Sequence, residues 1–454
     1  MLDFQRISCW IDTLPDALPD TLPDTLPDLR PHDAHPPRAH TKFSTKRKAV
    51  QQEPSPPVSL EDPAEMEEHT PKRRRTGDPN RTPRPTNRGA MSSAASSTAS
   101  SLAPSEGSEA PSRSSSPKKQ MMSLRLDDGG LECRQLNIDT APPAAADLLV
   151  AIREIGNGLE IIPHKDKTTI LQSPHVRDQN MRIWRYAFKE PDAVDALPGY
   201  TPATDEVALV CDLARQCHDK SHEEASWNVE VHHRLLQAVF RKTGSSEGEL
   251  FNFTTCTTAR PHSKYLPYSS PAKMVDFCLY LDSPSDSDAL QALGRRTPTL
   301  TVNHTDFAPL QLSPIALSIE TKRPGKELDA AQLQMGIWHA AQWKFLRSVV
   351  GLTGQPLSAT EELSRRQLAD QALAELGFIP GIIVQGHRWL FVFSTLEDKK
   401  TVLWTERQFG TTQSILDTYQ IIAGLRELAG WVRDVYLPWF RSKVLAGFTA
   451  ENGT

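Results

Sequence analysis

The chain has 454 residues, of which 38% are hydrophobic and 24% are charged, which allows one large domain or two small ones. Residues 1–120 hold 17 Lys and Arg against 16 Asp and Glu, and residues 121–454 hold 34 against 40, a net charge of −6. This balance argues against a broad basic DNA-gripping surface, although a local basic groove can exist on an acidic molecule. Because no apolar run is long enough to span a bilayer and residues 1–30 lack the features of a secretory signal, we expect a soluble intracellular protein that is not secreted.

The first 120 residues differ in composition from the rest. They contain 18 of the 36 prolines but only Phe4, Trp10 and Phe43 of the 31 aromatic residues, which is too little apolar surface to offset the entropy of ordering. We therefore predict a disordered tail over residues 1–120 and a folded domain over residues 121–454. The repeat DTLPDALPDTLPDTLPDLR at residues 12–30 predicts an extended spacer, because a proline at every fourth residue rules out a continuous helix. A short docking motif is the alternative interpretation.

Two basic clusters lie in this tail. One is KRK at residues 46–48, and the other consists of Lys72, Arg73, Arg74 and Arg75. Accessible clusters of this length are typical of nuclear-import signals, so we expect an import receptor as a partner and a nuclear location, otherwise a cytoplasmic one. A solvated charge run without a receptor is the alternative.

The folded part begins with a lead-in from Leu124 to Tyr200. The segment SWNVEVHHRLLQAVF, Ser226 to Phe240, carries apolar residues at helical spacing, which predicts an amphipathic helix with Ser226 as its N-cap. A short run from Thr254 to Ala259 follows, and then the strand MVDFCLYL, which contains Asp276. Residues 282–312 read as a polar loop.

The strand PIALSIETKR then carries Glu320 and ends at Pro324 and Gly325. A helix is predicted from Asp329 to Val350, followed by three β runs, GIIVQG, RWLFVFST and TVLWTE, and a closing helix from Thr412 to Tyr436. Residues 385–388, QGHR, read as a hairpin connection between the first two of these β runs. The whole pattern predicts an α/β fold.

Two carboxylates and a lysine stand out in the two strands. Alternation of side chains places Glu320 and Lys322 on one face of their strand, with Thr321 on the other. The same rule places Asp276 opposite its neighbours Val275 and Phe277. Because divalent cations such as Mg²⁺ prefer oxygen ligands and keep several waters, two carboxylates on adjacent strands make a plausible metal cradle, and the lysine can serve a phosphate or the attacking water.

The order of elements around these residues resembles the core of the PD-(D/E)XK nuclease superfamily. The segments WNVEVHHRLL, KMVDFCL, IALSIETKR, AAQLQMGIWHAAQW, PGIIVQGHRWLFVFST and YLPW are more specific, and they resemble fungal PD-(D/E)XK nuclease-like proteins over residues 130–445. The superfamily often has Pro directly before the first acid, where this chain has Val275. The resemblance implies a restriction-endonuclease-like core, a central mixed sheet flanked by helices.

The resemblance also implies further site residues. The superfamily often places a third acid on its first core helix, which makes Glu230 a candidate metal ligand or water-orienting group; its position about 60° from Trp227 around the helix suggests a partly inward side chain. A solvent-exposed glutamate is the alternative. Some branches place a glutamine beside the site, as Gln334 would be on the next helix. Gln334 lies on an apolar stripe and needs a partner if it is buried.

These observations together predict a metal-dependent nuclease. Asp276 and Glu320, with the carbonyl of Thr321, would hold Mg²⁺ or Mn²⁺, and Lys322 would stabilise the developing negative charge on the phosphate. The expected substrate is nucleic acid, with DNA favoured, and the expected catalytic set is Asp276, Glu320, Lys322, Glu230 and Gln334.

Two other functions remain open from the sequence. The first is a catalytically silent nuclease fold that binds nucleic acid or protein in the nucleus; the acidic charge favours it, and the complete triad argues against it. The second is a regulatory protein whose tail makes the interactions.

Other constellations are weaker. The six cysteines are scattered without a CxxC pair, which predicts reduced thiols. Cys211, Cys217, His218 and His222 are zinc-ligand types within twelve residues, but their spacing is unusual for structural zinc. His232 and His233 read as surface or packed residues rather than ligands.

Overall fold

A computed structural model describes residues 116–177, 181–267, 270–325, 327–352 and 358–449. The predicted tail, with its repeat and its basic clusters, lies outside the described residues apart from its last five positions. The predictions made for it therefore stay predictions.

One seven-stranded mixed sheet forms the centre of the described chain. Its strands in sequence order are β1 Leu131–Gln135, β2 Phe251–Thr255, β3 Phe277–Leu281, β4 Ile315–Lys322, β5 Ile379–Gln385, β6 Arg388–Glu397 and β7 Lys400–Thr411. Their spatial order is β1-β7-β6-β5-β4-β3-β2. The β1–β7 and β4–β5 pairs are parallel and the other four are antiparallel, so β4 lies between an antiparallel and a parallel neighbour.

Helices surround the sheet. They are α1 Pro117–Leu126, α2 Ala146–Gly156, α3 Lys167–Gln172, α4 Thr204–Asp219, α5 (Glu224–Trp227, a π-helical turn Asn228–His232, and His233–Phe240), α6 Ser287–Arg296, α7 Leu328–Val349, α8 Ala359–Leu376 and α9 Ile415–Trp431. A C-terminal helical run continues through Val432–Tyr436, Leu437–Phe440, Arg441–Leu445 and Ala446–Thr449. Short 3-10 turns occupy Pro143–Ala145, His164–Asp166, Ser263–Tyr265, Pro284–Asp286 and Ala308–Leu310. None of the described helices is long and apolar enough to cross a membrane.

The sheet is buried on both faces. Along β6, Trp389, Phe391 and Phe393 belong to one buried apolar cluster, whereas Leu390 and Val392 belong to another. Because successive side chains of a strand point to opposite faces, these clusters are the two layers of the core. The expectation of an α/β fold with a central mixed sheet flanked by helices is confirmed.

Several predicted elements are confirmed with small shifts. The helix at Ser226 begins two residues earlier, and its N-cap is Glu223. Ser226 as the cap is therefore wrong: its amide already donates to the carbonyl of Glu223, so it lies inside the first turn. The QGHR hairpin is confirmed, because Gln385 and Arg388 are paired at the ends of β5 and β6.

Several elements were not predicted, among them α6, α8 and β1. The stretch over residues 282–312 is not one long loop, because α6 lies within it and buries Ala289, Leu290 and Leu293. Helix α8 was missed although Ser358 and Glu361 form a capping box, a signature readable in the sequence. Strand β1 was missed inside the lead-in, since its position depends on pairing with β7, far away along the chain.

Three buried histidines report on the packing of the core. Burial lowers the pKa of His232 to about 4 and the pKa values of His304 and His339 to about 3. His339, on α7, has one ring nitrogen 3.0 Å from the hydroxyl of Ser394 on β6. The folded protein therefore holds these rings neutral at pH 7.

The stability of the domain should fall in acid because of these rings. In the unfolded chain each histidine takes up a proton as the pH falls through its ordinary value of 6.5, while the folded form stays neutral to about pH 4. Each ring should then cost roughly 1.4 kcal/mol per pH unit in that window. The free energy of unfolding is measured by urea titration at pH values from 8 to 4 and plotted against pH. Between about pH 6.5 and 4 the slope for His339→Leu should be shallower than that for wild type by about one proton, whereas between pH 7 and 8 the two curves should be parallel. Identical slopes throughout would contradict this role.

Candidate active site

The carboxylate of Asp276 is held at the end of β4 by one residue of that strand. Asp276 directly precedes β3, and its amide donates to the carbonyl of Ile319 at 3.0 Å. Its Oδ2 accepts from the amide of Thr321 at 2.8 Å and lies 3.0 Å from the Thr321 hydroxyl. The expected alternation does not extend across Asp276, because Val275 and Phe277 pack into different layers of the core; the strand begins only at Phe277.

The π-helical turn of α5 completes the surroundings of Asp276. Asn228 Nδ2 donates to Asp276 Oδ1 at 3.3 Å, and Asn228 Oδ1 accepts from the Thr321 hydroxyl at 2.8 Å. His232 contacts Asn228 Oδ1 at 3.0 Å and the carbonyl of Gly386 at 3.3 Å through its two nitrogens. A neutral imidazole has one N–H, so it donates to one of these two oxygens at a time. This chain of contacts ties the β5–β6 hairpin to Asp276.

The ammonium of Lys322 lies among three oxygen atoms. Lys322 Nζ donates to Glu320 Oε1 at 2.6 Å, to the carbonyl of Thr321 at 2.7 Å and to Glu224 Oε2 at 3.3 Å. Glu320 is 1% exposed and Lys322 is 6% exposed. We call Asp276, Glu320, Lys322 and Glu224 the acid cluster.

Negative charge predominates in the acid cluster. Burial, followed by the charge of Asp276, raises the pKa of Glu320 well above its usual value, and the attraction of Lys322 does not offset this. Burial also raises the pKa of Glu224. Burial by itself lowers the pKa of Lys322, but the carboxylates outweigh it and the net shift is upward. Lys322 is therefore a stable cation, whereas the raised pKa of Glu320 favours its protonated form. A second positive charge beside Glu320 would favour the ionised form.

The donor set of the acid cluster fits a hard divalent cation. Glu320 Oε2 is buried and has no hydrogen-bond partner among the described residues, and such an oxygen is costly unless something pairs with it. No group of three or more His, Cys, Asp or Glu side chains converges into a metal cage in the described part of the chain. Two carboxylates and a carbonyl nevertheless suit Mg²⁺, which usually keeps several water ligands and takes one or two carboxylates from a protein.

The first core helix supplies a different glutamate from the expected one. Glu230 does not reach the acid cluster; its side chain is 41% exposed and pairs with Arg234 at 3.6 Å. Glu224, near the start of the same helix, contacts Lys322 instead. In a regular α-helix Glu230 would lie about 60° around the axis from Trp227. The π-helical turn Asn228–His232 changes the rotation per residue, so Glu230 faces another direction.

Gln334 lies beside the site but does not touch the acidic side chains. Its Nε2 donates to the carbonyl of Met274 at 3.2 Å, two residues before Asp276. The amide therefore anchors the segment that leads into β3 against α7. The apolar stripe on which Gln334 was predicted to lie consists of Trp338, Ala341 and Phe345, and all three are buried.

Residues 172–437, more than half of the chain, match the family model of the PD-(D/E)XK nuclease superfamily. The chain belongs to this superfamily. No curated protein and no solved structure matches the chain. The superfamily membership accounts for the mixed sheet in which the acid strands β3 and β4 are neighbours, and its members typically use a divalent metal.

Three residues of this PD-(D/E)XK chain that meet the site were not predicted as site residues: Glu224, Asn228 and His232. They follow one another at intervals of four, so they form a polar stripe beside the apolar residues Trp227 and Val231. Residues four apart share a face of a helix. A polar stripe on the buried side of α5 was the available signal.

The possible zinc ligands are not gathered into a site. The Sγ atom of Cys211 lies 3.2 Å from the hydroxyl of Thr418, Cys217 is buried, and the ring of His218 lies tilted against that of His387, with 5.2 Å between the ring centres. The described cysteines are all free thiols, which agrees with the expectation of reduced cysteines.

Removal of the Thr321 hydroxyl should loosen the site. Thr321→Val keeps the shape but leaves Asp276 and Asn228 short of one polar partner, so we expect a loss of about 1 to 3 kcal/mol in unfolding free energy by urea titration. Thr321→Ser is the matched control, because it keeps the hydroxyl and should remain more stable than the valine variant. A valine variant as stable as wild type would show that the hydroxyl does not hold Asp276.

Proposed function

We propose that this chain is a metal-dependent nuclease that hydrolyses phosphodiester bonds of nucleic acid, with DNA as its substrate. The proposal rests on one observation. Asp276, at the start of β3, lies close to Glu320 and Lys322, at the end of the adjacent strand β4, in a PD-(D/E)XK fold. The nuclear location expected from the basic cluster at residues 72–75 belongs to the same proposal and suits a DNA substrate.

Asp276 and Glu320 would hold the metal ion, Mg²⁺ or Mn²⁺, with the carbonyl of Thr321 as a further oxygen. A bound ion of this kind polarises a phosphoryl oxygen and lowers the pKa of a bound water. The unpaired Oε2 of Glu320 and the presence of one cation, Lys322, among the three acidic side chains of the acid cluster support this assignment. Glu224 adds negative charge beside them and orients Lys322.

Lys322 would act as a fixed positive charge. Its pKa lies above the ordinary value because of Glu320, Glu224 and Asp276, so it stays protonated near neutral pH and does not serve as a base. A preorganised cation in a partly dry site stabilises the negative charge that develops on a phosphate during hydrolysis. Thr321 and Asn228 would hold Asp276 in place without touching the reacting atoms.

A catalytically silent binding module is the second candidate. One observation favours it: Lys322 already contacts the two groups, Glu320 Oε1 and the Thr321 carbonyl, that the metal would need. An ammonium that satisfies these oxygens could replace the metal permanently. Metal binding and cleavage therefore separate the two candidates.

Cleavage should depend on Lys322. We expect the wild-type chain to cut single- or double-stranded DNA with Mg²⁺ or Mn²⁺, and Lys322→Ala to lower the rate by about 10²-fold or more through lost stabilisation of charge. Lys165→Ala, a change at an exposed lysine outside the acid cluster, is the control and should retain the wild-type rate. Gel assays on DNA and RNA measure both. Equal inactivity of wild type and Lys322→Ala on every substrate would sink the catalytic proposal.

Metal binding should distinguish the glutamates. Without nucleic acid, Glu320→Gln should weaken Mn²⁺ binding by about tenfold or more, as measured by electron paramagnetic resonance of free Mn²⁺. Glu224→Gln should weaken it less, because Glu224 acts beside the ion. Glu230→Gln is the matched control on the same helix and should bind like wild type. A wild-type chain that binds no Mn²⁺ at millimolar concentration would support the silent fold.

A further inference from the structure

A concave surface lies at the C-terminal part of α7, away from the acid cluster. It is a groove of about 810 Å³ formed by the turn before β3, the end of α6, the C-terminal part of α7, α8 and the β6–β7 turn. Its lining holds seven Lys and Arg side chains and a single carboxylate, that of Glu362. We call this surface, from Lys264 to Lys399 in the chain, the basic groove.

The three lysines of the basic groove lack acidic partners. Lys264 and Lys399 are exposed. Lys344 Nζ donates to the carbonyl of Leu266 at 2.8 Å, and burial lowers its pKa. None of the three forms an ion pair within the described ranges. Each keeps N–H donors that an anion could accept, and an anion beside Lys344 would oppose the lowering of its pKa by burial.

The arginines are held by a structural network. Arg347 makes a bidentate pair with Asp370 at 2.6 and 2.7 Å. Arg365 and Arg366 share the carboxylate of Glu362. Arg365 also donates to backbone carbonyls at the end of α7. A fixed guanidinium has less freedom to lose on binding a phosphate, which favours anion recognition.

The distribution of charge points to an extended polyanion. The cations come from five separate elements and line a groove, whereas a small-molecule pocket is mainly apolar with a few converging polar groups. The folded part of the chain carries 34 basic and 40 acidic residues, so seven cations beside the carboxylates of Glu362 and Asp370 are a local reversal of charge. Clefts lined by one sign of charge concentrate ligands of the opposite sign.

The groove lies near the acid cluster along one helix. Gln334 contacts the segment that leads to Asp276, and Lys344 contacts the same segment at Leu266. These two positions of α7 are ten residues apart, which is about 15 Å along the helix axis. One strand of duplex DNA carries a phosphate about every 3.4 Å along its axis. The two surfaces are therefore separated by roughly four or five nucleotides.

We propose that the basic groove binds the phosphate backbone of nucleic acid a few nucleotides away from the acid cluster. The substrate class rests on the proposed function, while the anion site rests on the groove itself. The groove supplies the attraction that an acidic domain otherwise lacks, and it leaves the acid cluster to the metal ion and the scissile phosphate.

The test is DNA binding by the full chain in EDTA, where no metal-dependent cleavage takes place. Fluorescence anisotropy with a labelled 20-nucleotide single strand and a 20-base-pair duplex is recorded over a salt series. The variant Lys264→Glu/Lys399→Glu changes two exposed groove lysines. The control Lys165→Glu/Lys242→Glu makes the same charge change at exposed lysines outside the groove. Thermal melting checks that both variants fold.

The groove variant should bind about tenfold or more weakly, and its slope of log K against log salt should fall by about two. The control should stay within about twofold of wild type, because it leaves the groove intact. Unchanged binding by the groove variant, or equal weakening in both variants, would overturn the proposal.

The outcome is independent of catalysis. If the groove variant loses DNA binding while the wild-type chain cuts no substrate, the groove proposal stands and the nuclease proposal fails. If wild type cuts DNA and the groove variant binds and cuts equally well, the groove proposal fails and the nuclease proposal stands.

Discussion

The contact between Asp276 and Thr321 is the constraint on which the rest of the site depends. An antiparallel pair brings the start of β3 beside the end of β4, and the Thr321 amide then holds the Asp276 carboxylate. This hydrogen bond adds to the backbone ladder between the two acid strands and keeps the Asp276 carboxylate close enough to act on the charge of Glu320. Asn228 and His232 extend the connection to α5 and to the β5–β6 hairpin. A shift of one residue in the register would place Asp276 away from Glu320.

Burial gives the site its chemistry as well as its position. Glu320 and Lys322 are almost completely removed from water, so charges that would be screened in solvent act strongly on one another. Three acidic side chains surround one ammonium, and the pKa of Glu320 is raised well above its usual value. A bound cation would relieve this by favouring ionised Glu320 and by pairing with its unpaired oxygen. The N-terminal part of α7 lies beside the segment that leads to the acid cluster. Its C-terminal part lines the basic groove, where cations predominate.

Much of the fold was readable from periodicity. The apolar runs around Asp276 and Glu320, the three later β runs and the helix over residues 329–350 all occur where the structure has strands and α7. Each has a strong local pattern, and each buries a face that its own sequence defines. Strand β1 has no comparable pattern, and α6 is short and lies in a polar stretch. Helix α8 carries a capping box at Ser358 and Glu361, so its start is encoded in the local sequence.

Local pattern was sufficient to select Asp276, Glu320 and Lys322. Each lies in an apolar run that predicts a strand, so a charged residue there stands out from the sequence alone. Local pattern was not sufficient to choose between Glu224 and Glu230. That choice depends on the π-helical turn in α5 and on where Lys322 reaches, and both are set by contacts between residues about a hundred positions apart. The basic groove is likewise assembled from five elements that are scattered along an acidic chain. Alternation and helical spacing act over a few residues, whereas convergence of charge is decided only when distant segments pack together.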